Sequence, residues 1–319
     1  ERSRGLGDVY KRQDGDRERN YTGRWIENKI AIIPIQEGCL GNCSFCIVKN
    51  ARRKLVSYPI ELLVSTVRDA IRKGAIEIEL TGQDTAVYGL DIYAEQALPK
   101  LLKRIIEING DYMIRIGMMN PDTLKPIIDE IIEVYRDPHI YKFIHIPLQS
   151  GSDKVLKIMR RRYTVDEYID LVKELRRKIP GIMIATDIIV GHPGEEEDDF
   201  DQTINLIKTL EFERVHIAQY SIRPNTYSAS LPQVPTRVKK KRVLRMLKVI
   251  EEVGLKTHKE FVGSIGKALV TEYNKGRFVA RLYNYIPVVL MSSNATEIGE
   301  WVKVSIKNAT FYDLRGIVV

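Results

Sequence analysis

Cysteine is nearly absent from this chain, with three in 319 residues. That scarcity excludes a disulfide framework and points to a reducing, cytoplasmic setting. No apolar run approaches the roughly 20 residues that a membrane-spanning helix needs, so no membrane association is expected. The start shows neither the basic n-region nor the apolar h-region of a secretory signal. What is present is ordinary for a soluble globular protein: 44% hydrophobic and 29% charged residues. The length allows one large domain and a small one.

A basic excess is missing from most of the chain. Of the 50 Lys and Arg and 42 Asp and Glu, residues 1–232 hold 34 and 35, whereas 233–319 hold 16 and 7. A basic module attached to a neutral body suggests a nucleic-acid partner.

The few cysteines are not scattered. Cys39, Cys43 and Cys46 stand in the stretch Gly38-Cys39-Leu40-Gly41-Asn42-Cys43-Ser44-Phe45-Cys46, spaced C-x3-C-x2-C directly after the apolar run Ile30–Ile35. Tetrahedral zinc would want a fourth ligand, and no second Cys/His pair lies nearby. A cubic iron–sulfur cluster on three cysteines keeps one iron open to a substrate or cofactor. The competing reading is three unrelated buried thiols, since free cysteine packs like a small hydrophobe.

Residues 1–23 are polar, Arg-rich and aperiodic, and read as a disordered or non-native tail. The run Gly5–Gln13 has the look of translated adaptor sequence, which implies that a natural N-terminus is missing. Beyond it, strand-length apolar runs alternate with amphipathic helical segments. Strands are expected at Ile30–Ile35, Ile76–Thr81, Tyr112–Met118, Tyr141–Pro147, Ile182–Val190 and Arg214–Tyr220, the rhythm of βα units on a parallel sheet. Thr164-x-x-Glu167 is a capping box that opens one of the intervening helices.

The fold class is therefore α/β, with six βα units forming a partial (β/α)6 barrel over residues 24–262. A long basic helix over 234–261 ends it. Five short strands follow within 263–319 (Lys267–Glu272, Arg277–Leu282, Val288–Met291, Trp301–Lys307, Thr310–Leu314), a small β-barrel of oligonucleotide-binding size. Phe278, Tyr283 and Tyr285 interleave with Arg277 and Arg281 there, a pattern suited to single-stranded RNA.

In parallel β/α architectures the working face is the carboxyl end of the strands. The cysteine loop falls on that face. So do Gly82-Gln83-Asp84, Gln149-Ser150-Gly151 and the segment from Thr186-Asp187 to Gly191.

The cysteine spacing, with aromatic Phe45 before the last cysteine, resembles the signature of radical S-adenosylmethionine (SAM) enzymes. The resemblance implies that Cys39, Cys43 and Cys46 ligate a 4Fe–4S cluster whose open iron binds SAM, with Phe45 near the adenine. His145-Ile146-Pro147-Leu148-Gln149-Ser150-Gly151-Ser152-Asp153 followed by Met159-Arg160-Arg161, and Thr186-Asp187-Ile188-Ile189-Val190-Gly191-His192-Pro193-Gly194-Glu195, resemble the methylthiotransferases of that superfamily. His192 departs from the Phe-like aromatic expected there. The terminal barrel resembles their TRAM domain. Arg115-Ile116-Gly117-Met118-Met119-Asn120-Pro121 resembles the archaeal and eukaryotic branch that acts on N6-threonylcarbamoyladenosine in tRNA, at C2 of the base next to the anticodon.

Carried over, the resemblance implies SAM contacts at Phe45, Gly82, Gln83, Asp84, Gln149, Asp187, Ile189 and Gly191, the methionine end lying near Gly82–Asp84. It implies a second 4Fe–4S cluster in an N-terminal domain absent before Cys39, tRNA as substrate, and an electron donor such as a flavodoxin or ferredoxin. Two other readings compete. Methylthiolation of a ribosomal-protein aspartate is disfavoured by the basic terminal module. A non-catalytic RNA-binding protein with a structural cluster is disfavoured by the lack of a fourth cysteine.

Overall fold

The computed structural model describes residues 29–52, 54–291 and 297–319; the tail expected over 1–23 lies outside them. In chain order the strands are β1 (Ile30–Pro34), β2 (Gln36–Glu37), β3 (Val56–Ser57), β4 (Glu77–Thr81), β5 (Met113–Ile116), β6 (Phe143–His145), β7 (Met183–Val190) and β8 (Arg214–Gln219). Strands β1-β4-β5 and β6-β7-β8 form two parallel sheets of three. A bridge between Ile114 and Ile140 brings them together, so six parallel strands curve into one partial barrel. The neighbours β2 and β3 pair as a small antiparallel ribbon beside the cysteine loop.

Side chains alternate across each strand. In β1, Ala31 and Ile33 are buried under the helices, whereas Ile32 faces the other way and is 37% exposed. The inner face of β1 is thus open at Ile32. Helix 60–72 (Ile60–Arg72) buries Leu63, Val64 and Val67 against the sheet. Helix Val165–Lys178 opens on the expected capping box: Glu167 N donates to Thr164 Oγ1 at 3.2 Å and Thr164 N to Glu167 Oε2 at 2.9 Å.

Helix Thr236–Lys259 carries nine of the sixteen cations of the basic quarter. Several are spent within the fold. Arg242 pairs with Glu195 at 2.7 Å and Glu197 at 3.1 Å, and Arg245 pairs with Asp201 at 2.5 Å. The charge surplus of the C-terminal quarter is therefore not all offered to a partner.

The second unit is a closed barrel of β9 (Ile265–Asn274), β10 (Arg277–Leu282), β11 (Pro287–Leu290), β12 (Trp301–Ala309) and β13 (Leu314–Val318), in the order β10-β11-β13-β12-β9. The last strand corrects the expectation of Thr310–Leu314. Thr310 N donates to Asp313 O at 2.8 Å and Asp313 N to Thr310 Oγ1 at 2.9 Å, so 310–313 is a turn and pairing starts at Leu314.

This small barrel sits against the amino ends of the parallel strands. Lys142 N donates to Tyr283 O at 2.8 Å, Trp301 Nε1 to Asp111 Oδ1 at 2.9 Å, and Lys29 Nζ to Ile298 O at 2.9 Å. Met113, Phe143, Met183 and Ala185 from the large barrel share one core with Leu282, Ile286 and Val288. Tyr285 and Arg281, expected to face RNA, belong to this joint instead. The Tyr285 hydroxyl reaches Glu77 and Glu79 at 3.2 and 3.0 Å, and Arg281 pairs with Glu272 at 2.5 Å and Glu77 at 3.8 Å. Tyr283 remains exposed, as does Tyr273, which packs on Phe278 with centroids 4.8 Å apart.

Candidate active site at the carboxyl ends of the strands

The cysteine loop leaves β2 through Gly38, whose φ of +84° and position against Lys54 forbid a side chain: a Cβ would meet Lys54 O at 1.9 Å. Gly38 N donates to Gln83 Oε1 at 2.6 Å, which ties the loop to the end of β4. Cys39, Cys43 and Cys46 are free thiols, all half-buried. Gly41 lies between two of them, and a Cβ there would stand 3.2 Å from Cys39 Sγ and 3.7 Å from Cys43 Sγ. Two sulfurs converge on a cradle that glycine keeps open. The donor set fits a three-thiolate iron–sulfur cluster. Burial pushes the Cys39 thiol up to about 11 and raises Cys46 as well. Metal binding therefore has to displace protons from both.

Three groups outside the loop hold it. Ser44 N donates to Met159 O at 3.0 Å, and Arg161 Nη1 donates to Cys43 Sγ at 3.0 Å. Arg161 Nη2 continues to Asn120 Oδ1 at 2.6 Å, and Asn120 Nδ2 to Asp84 Oδ2 at 2.8 Å. On the other side Ser228 Oγ lies 2.8 Å from both Ser44 Oγ and His192 Nε2. Burial drives His192 down to about 4, so the ring is neutral and Nδ1 donates to Pro193 O at 2.9 Å. The departure from an aromatic at this position has a physical use. His192 keeps an edge contact with Phe45, centroids 6.1 Å apart, and adds a hydrogen bond to the loop's support.

The residues singled out at the strand ends do converge on this face, but they divide in role. Asp84 is buried, and its carboxylate accepts from Asn120 N at 3.1 Å and Thr123 Oγ1 at 2.9 Å. Gln83 is taken by Gly38. Gly82 packs on Gln36, where a Cβ would stand 3.0 Å from Cγ. Gly191 (φ +76°) lies under Lys239, and its N–H donates to Glu195 Oε1 at 2.9 Å. These four build the frame.

Gln149, Asp187 and Ile189 stand differently. Gln149 has a left-handed φ of +72°, and its backbone bridges Asp187 and Ile189, with Gln149 N to Asp187 O at 2.7 Å and Ile189 N to Gln149 O at 3.0 Å. Its Oε1 is buried with no partner among the described residues, an orphaned acceptor of the kind a bound group satisfies. Asp187 and Ile189 alternate on one face of β7 and are only half-buried. Asp187 Oδ1 lies 2.9 Å from His145 Nε2, and with His216 these residues bring one ligand-capable atom each within 4.8 Å of one another.

Sequence reasoning missed Arg161, Asn120, Ser228 and His216 as parts of the site. Arg161 and Asn120 had a signal, since both fall within stretches singled out for family resemblance. Ser228 and His216 had none.

Residues 33–207 match the Radical SAM superfamily, and residues 259–319 match the TRAM domain. The chain is 42% identical over 294 residues to a probable threonylcarbamoyladenosine tRNA methylthiotransferase of Archaeoglobus fulgidus, covering 92% of this chain and 68% of that one. The chain belongs to this family within the radical SAM superfamily. A probable member from Methanocaldococcus jannaschii is 41% identical, covering 91% of this chain and 66% of that protein. The threonylcarbamoyladenosine tRNA methylthiotransferase of Homo sapiens is 38% identical, covering 90% and 49%. The chain thus spans about two thirds of the length of its archaeal relatives and about half of the human one.

Among solved structures, coproporphyrinogen III oxidase (HemN) from Escherichia coli, a radical SAM enzyme, superposes with a TM-score of 0.52 at 14% identity, covering 90% of this chain and 71% of that one. The radical SAM methyltransferase TsrM from Kitasatospora setae gives 0.53 at 16% identity, covering 63% and 38%. Both are likenesses of fold. The cofactors of the superfamily are a 4Fe–4S cluster and SAM.

Proposed function

We propose that this chain supplies the radical SAM and RNA-binding parts of a tRNA methylthiotransferase acting at C2 of N6-threonylcarbamoyladenosine. The observation that carries the reading is the cradle around Gly41, with Arg161 donating to Cys43, set at the carboxyl ends of the parallel strands. When bound, a cluster on Cys39, Cys43 and Cys46 supplies the electron for reductive cleavage of SAM. The protein's part is orientation and exclusion of competing reactions.

Gln149, through its orphaned Oε1, and Asp187 and Ile189 on the inner face of β7 are the side chains with capacity left for SAM. Phe45, the side chain that the resemblance sets near the adenine, has an edge contact with His192. Gly82, Gln83, Asp84 and Gly191 act by positioning the loops, offering backbone at most. All three cysteines of the sequence are committed to one centre. The thiolates that hold a transferable sulfur must come from outside these 319 residues, as the second cluster of the resemblance would. The reading also entails a cytoplasmic setting and a low-potential donor of the flavodoxin or ferredoxin kind.

The test is nucleoside mass spectrometry of tRNA from a strain lacking the gene. Loss of the 2-methylthio derivative with retention of threonylcarbamoyladenosine is expected. An unchanged nucleoside profile, with a changed ribosomal-protein aspartate, would transfer the activity to the protein substrate.

A further inference from the structure

Between the two barrels lies a cavity of about 660 Å³. Its walls include Arg115, Arg214 and His216 from the parallel strands and Glu272, Arg281 and Asp313 from the small barrel. Most of these charges already have partners. Arg281 holds Glu272 at 2.5 Å, Arg115 stands 3.6 Å from Glu79, and Asp313 accepts from Thr310 Oγ1 at 3.1 Å.

Arg214 differs from these three. No carboxylate pairs with it among the described residues. Its Nη2 donates to Tyr312 O at 3.1 Å, and the guanidinium lies 4.1 Å over the Tyr312 ring. The side chain is thus held in place from one side while its remaining donors stay uncommitted. A fixed guanidinium presents the planar fork that carboxylates fit bidentately.

Its position in the barrel gives the cation a reach. Ala185 pairs with Arg214 and Asp187 with His216 in the β7–β8 register. On alternating strands, Arg214 and His216 share a face and lie about 6.6 Å apart along β8. Arg214 is therefore one step further from the cysteine face than the His145–Asp187–His216 layer, towards the small barrel. In an adenine, C2 and the N6 substituent diverge from opposite sides of N1. A base that presents C2 to the cysteine loop therefore sends its N6 substituent in another direction, and this cavity lies on the side of the His145–Asp187–His216 layer away from that loop.

We propose that Arg214 receives the carboxylate of the threonylcarbamoyl side chain, so that this cavity selects a base already carrying that modification. The inference rests on the function proposed above. Lys275 and Arg277, exposed at the cavity's rim on the β9–β10 turn, suit phosphates instead.

The test is equilibrium binding of three anticodon stem-loop RNAs that carry, at the target position, threonylcarbamoyladenosine, its neutral methyl ester, or adenosine. The protein is the cluster-loaded chain as wild type, Arg214→Gln and Arg214→Lys. Wild type should prefer the free carboxylate over the ester by roughly tenfold or more, as for hydrogen bonds to a charged group. Arg214→Gln should bring that ratio near one, and Arg214→Lys should keep part of it. Equal weakening towards all three RNAs would make Arg214 a phosphate contact and overturn the inference. An unaltered preference in Arg214→Gln would overturn it too, with the function left standing. Absence of any wild-type preference for threonylcarbamoyladenosine over adenosine would strike the functional reading itself. Should Arg214→Gln fail to fold, Arg214→Lys decides: a reduced acid-to-ester ratio supports the inference, and a ratio equal to wild type overturns it.

Discussion

Arg161 and Cys43 are 118 positions apart in sequence, yet the guanidinium Nη1 donates to the thiol sulfur at 3.0 Å. A charge-assisted bond of this kind stabilises a thiolate and draws electron density from whatever that thiolate ligates. The same guanidinium is pinned by Asn120, which is pinned by Asp84. The cysteine loop is thereby tied to the ends of two other strands.

Because an added electron is favoured by a nearby cation, Arg161→Gln should make the cluster harder to reduce. Losing a hydrogen bond to a charged group costs about 1.5 kcal/mol or more, which corresponds to a shift on the order of 60 mV to more negative potential. The cluster should still assemble, since all three cysteines remain. An EPR-monitored redox titration of the two proteins measures the shift; identical midpoints would remove Arg161 from this role.

Ser228 bridges the loop to His192. Ser228→Ala leaves the buried His192 Nε2 without its partner, and an orphaned buried polar group costs about 1–3 kcal/mol. Thermal unfolding should move down by a few degrees, at about 2–4 °C per kcal/mol for a chain of this size. His192→Phe combined with Ser228→Ala removes both polar groups and should recover part of that loss.

Local chemistry made much of this architecture legible. The Thr164–Glu167 capping box and the apolar runs of the six parallel strands work through neighbours in sequence, and each forms where the pattern places it, within a residue or two at the ends. The cysteine spacing is equally local. Arg161 falls within a stretch singled out for family resemblance, but its contact with Cys43 depends on how two strand-end loops meet across the barrel, which no periodicity encodes. Tyr285 and Arg281 misled for a related reason. Aromatic and cationic residues at a surface strand look the same whether they await RNA or cover the ends of another sheet.

That joint should titrate. Burial pushes the Glu77 carboxyl up to about 7 from its ordinary 4.5, against the opposing pull of Arg281. Arg281 itself is held up by its neighbours, but desolvation of the carboxyl outweighs the pairing for Glu77. A raised carboxyl binds more protons folded than unfolded. Its contribution is complete below about pH 4.5 and is lost as pH rises through about 7. Wild type should therefore lose stability between pH 5 and 8 more steeply than Glu77→Gln, by a few kcal/mol at most. Glu195, also raised to about 7, acts equally in both proteins and cancels. Denaturant unfolding at the two pH values reads the difference, and parallel slopes would refute the assignment.

Two glycines separate backbone conformation from steric clash. Gly74 has φ +93° with nothing within 4 Å of an added Cβ, whereas Gly38 at φ +84° would drive one to 1.9 Å from Lys54 O. Gly74→Ala should cost about 1–2 kcal/mol, the left-handed penalty alone. Gly38→Ala adds a backbone collision that only movement of the cysteine loop relieves. It should cost more and release iron on desalting of the reconstituted protein. If both variants keep their iron and lose equal stability, the loop is not held as described.

The rim of the interdomain cavity offers the last prediction. Lys275 and Arg277 flank Gly276 in the β9–β10 turn, both exposed, and no carboxylate pairs with either among the described residues. Cations presented this way contact phosphates and release counterions on binding. Lys275→Ala and Arg277→Ala should each weaken tRNA binding to a similar degree whatever base stands at the target position. Each should also flatten the dependence of log affinity on log salt by about one. Arg214→Gln should do the opposite, changing base preference with little effect on the salt slope. Affinity measured across a salt series for the three variants separates the two kinds of contact. A rim variant that altered base preference, or an Arg214 variant that altered only the slope, would exchange the roles assigned to them.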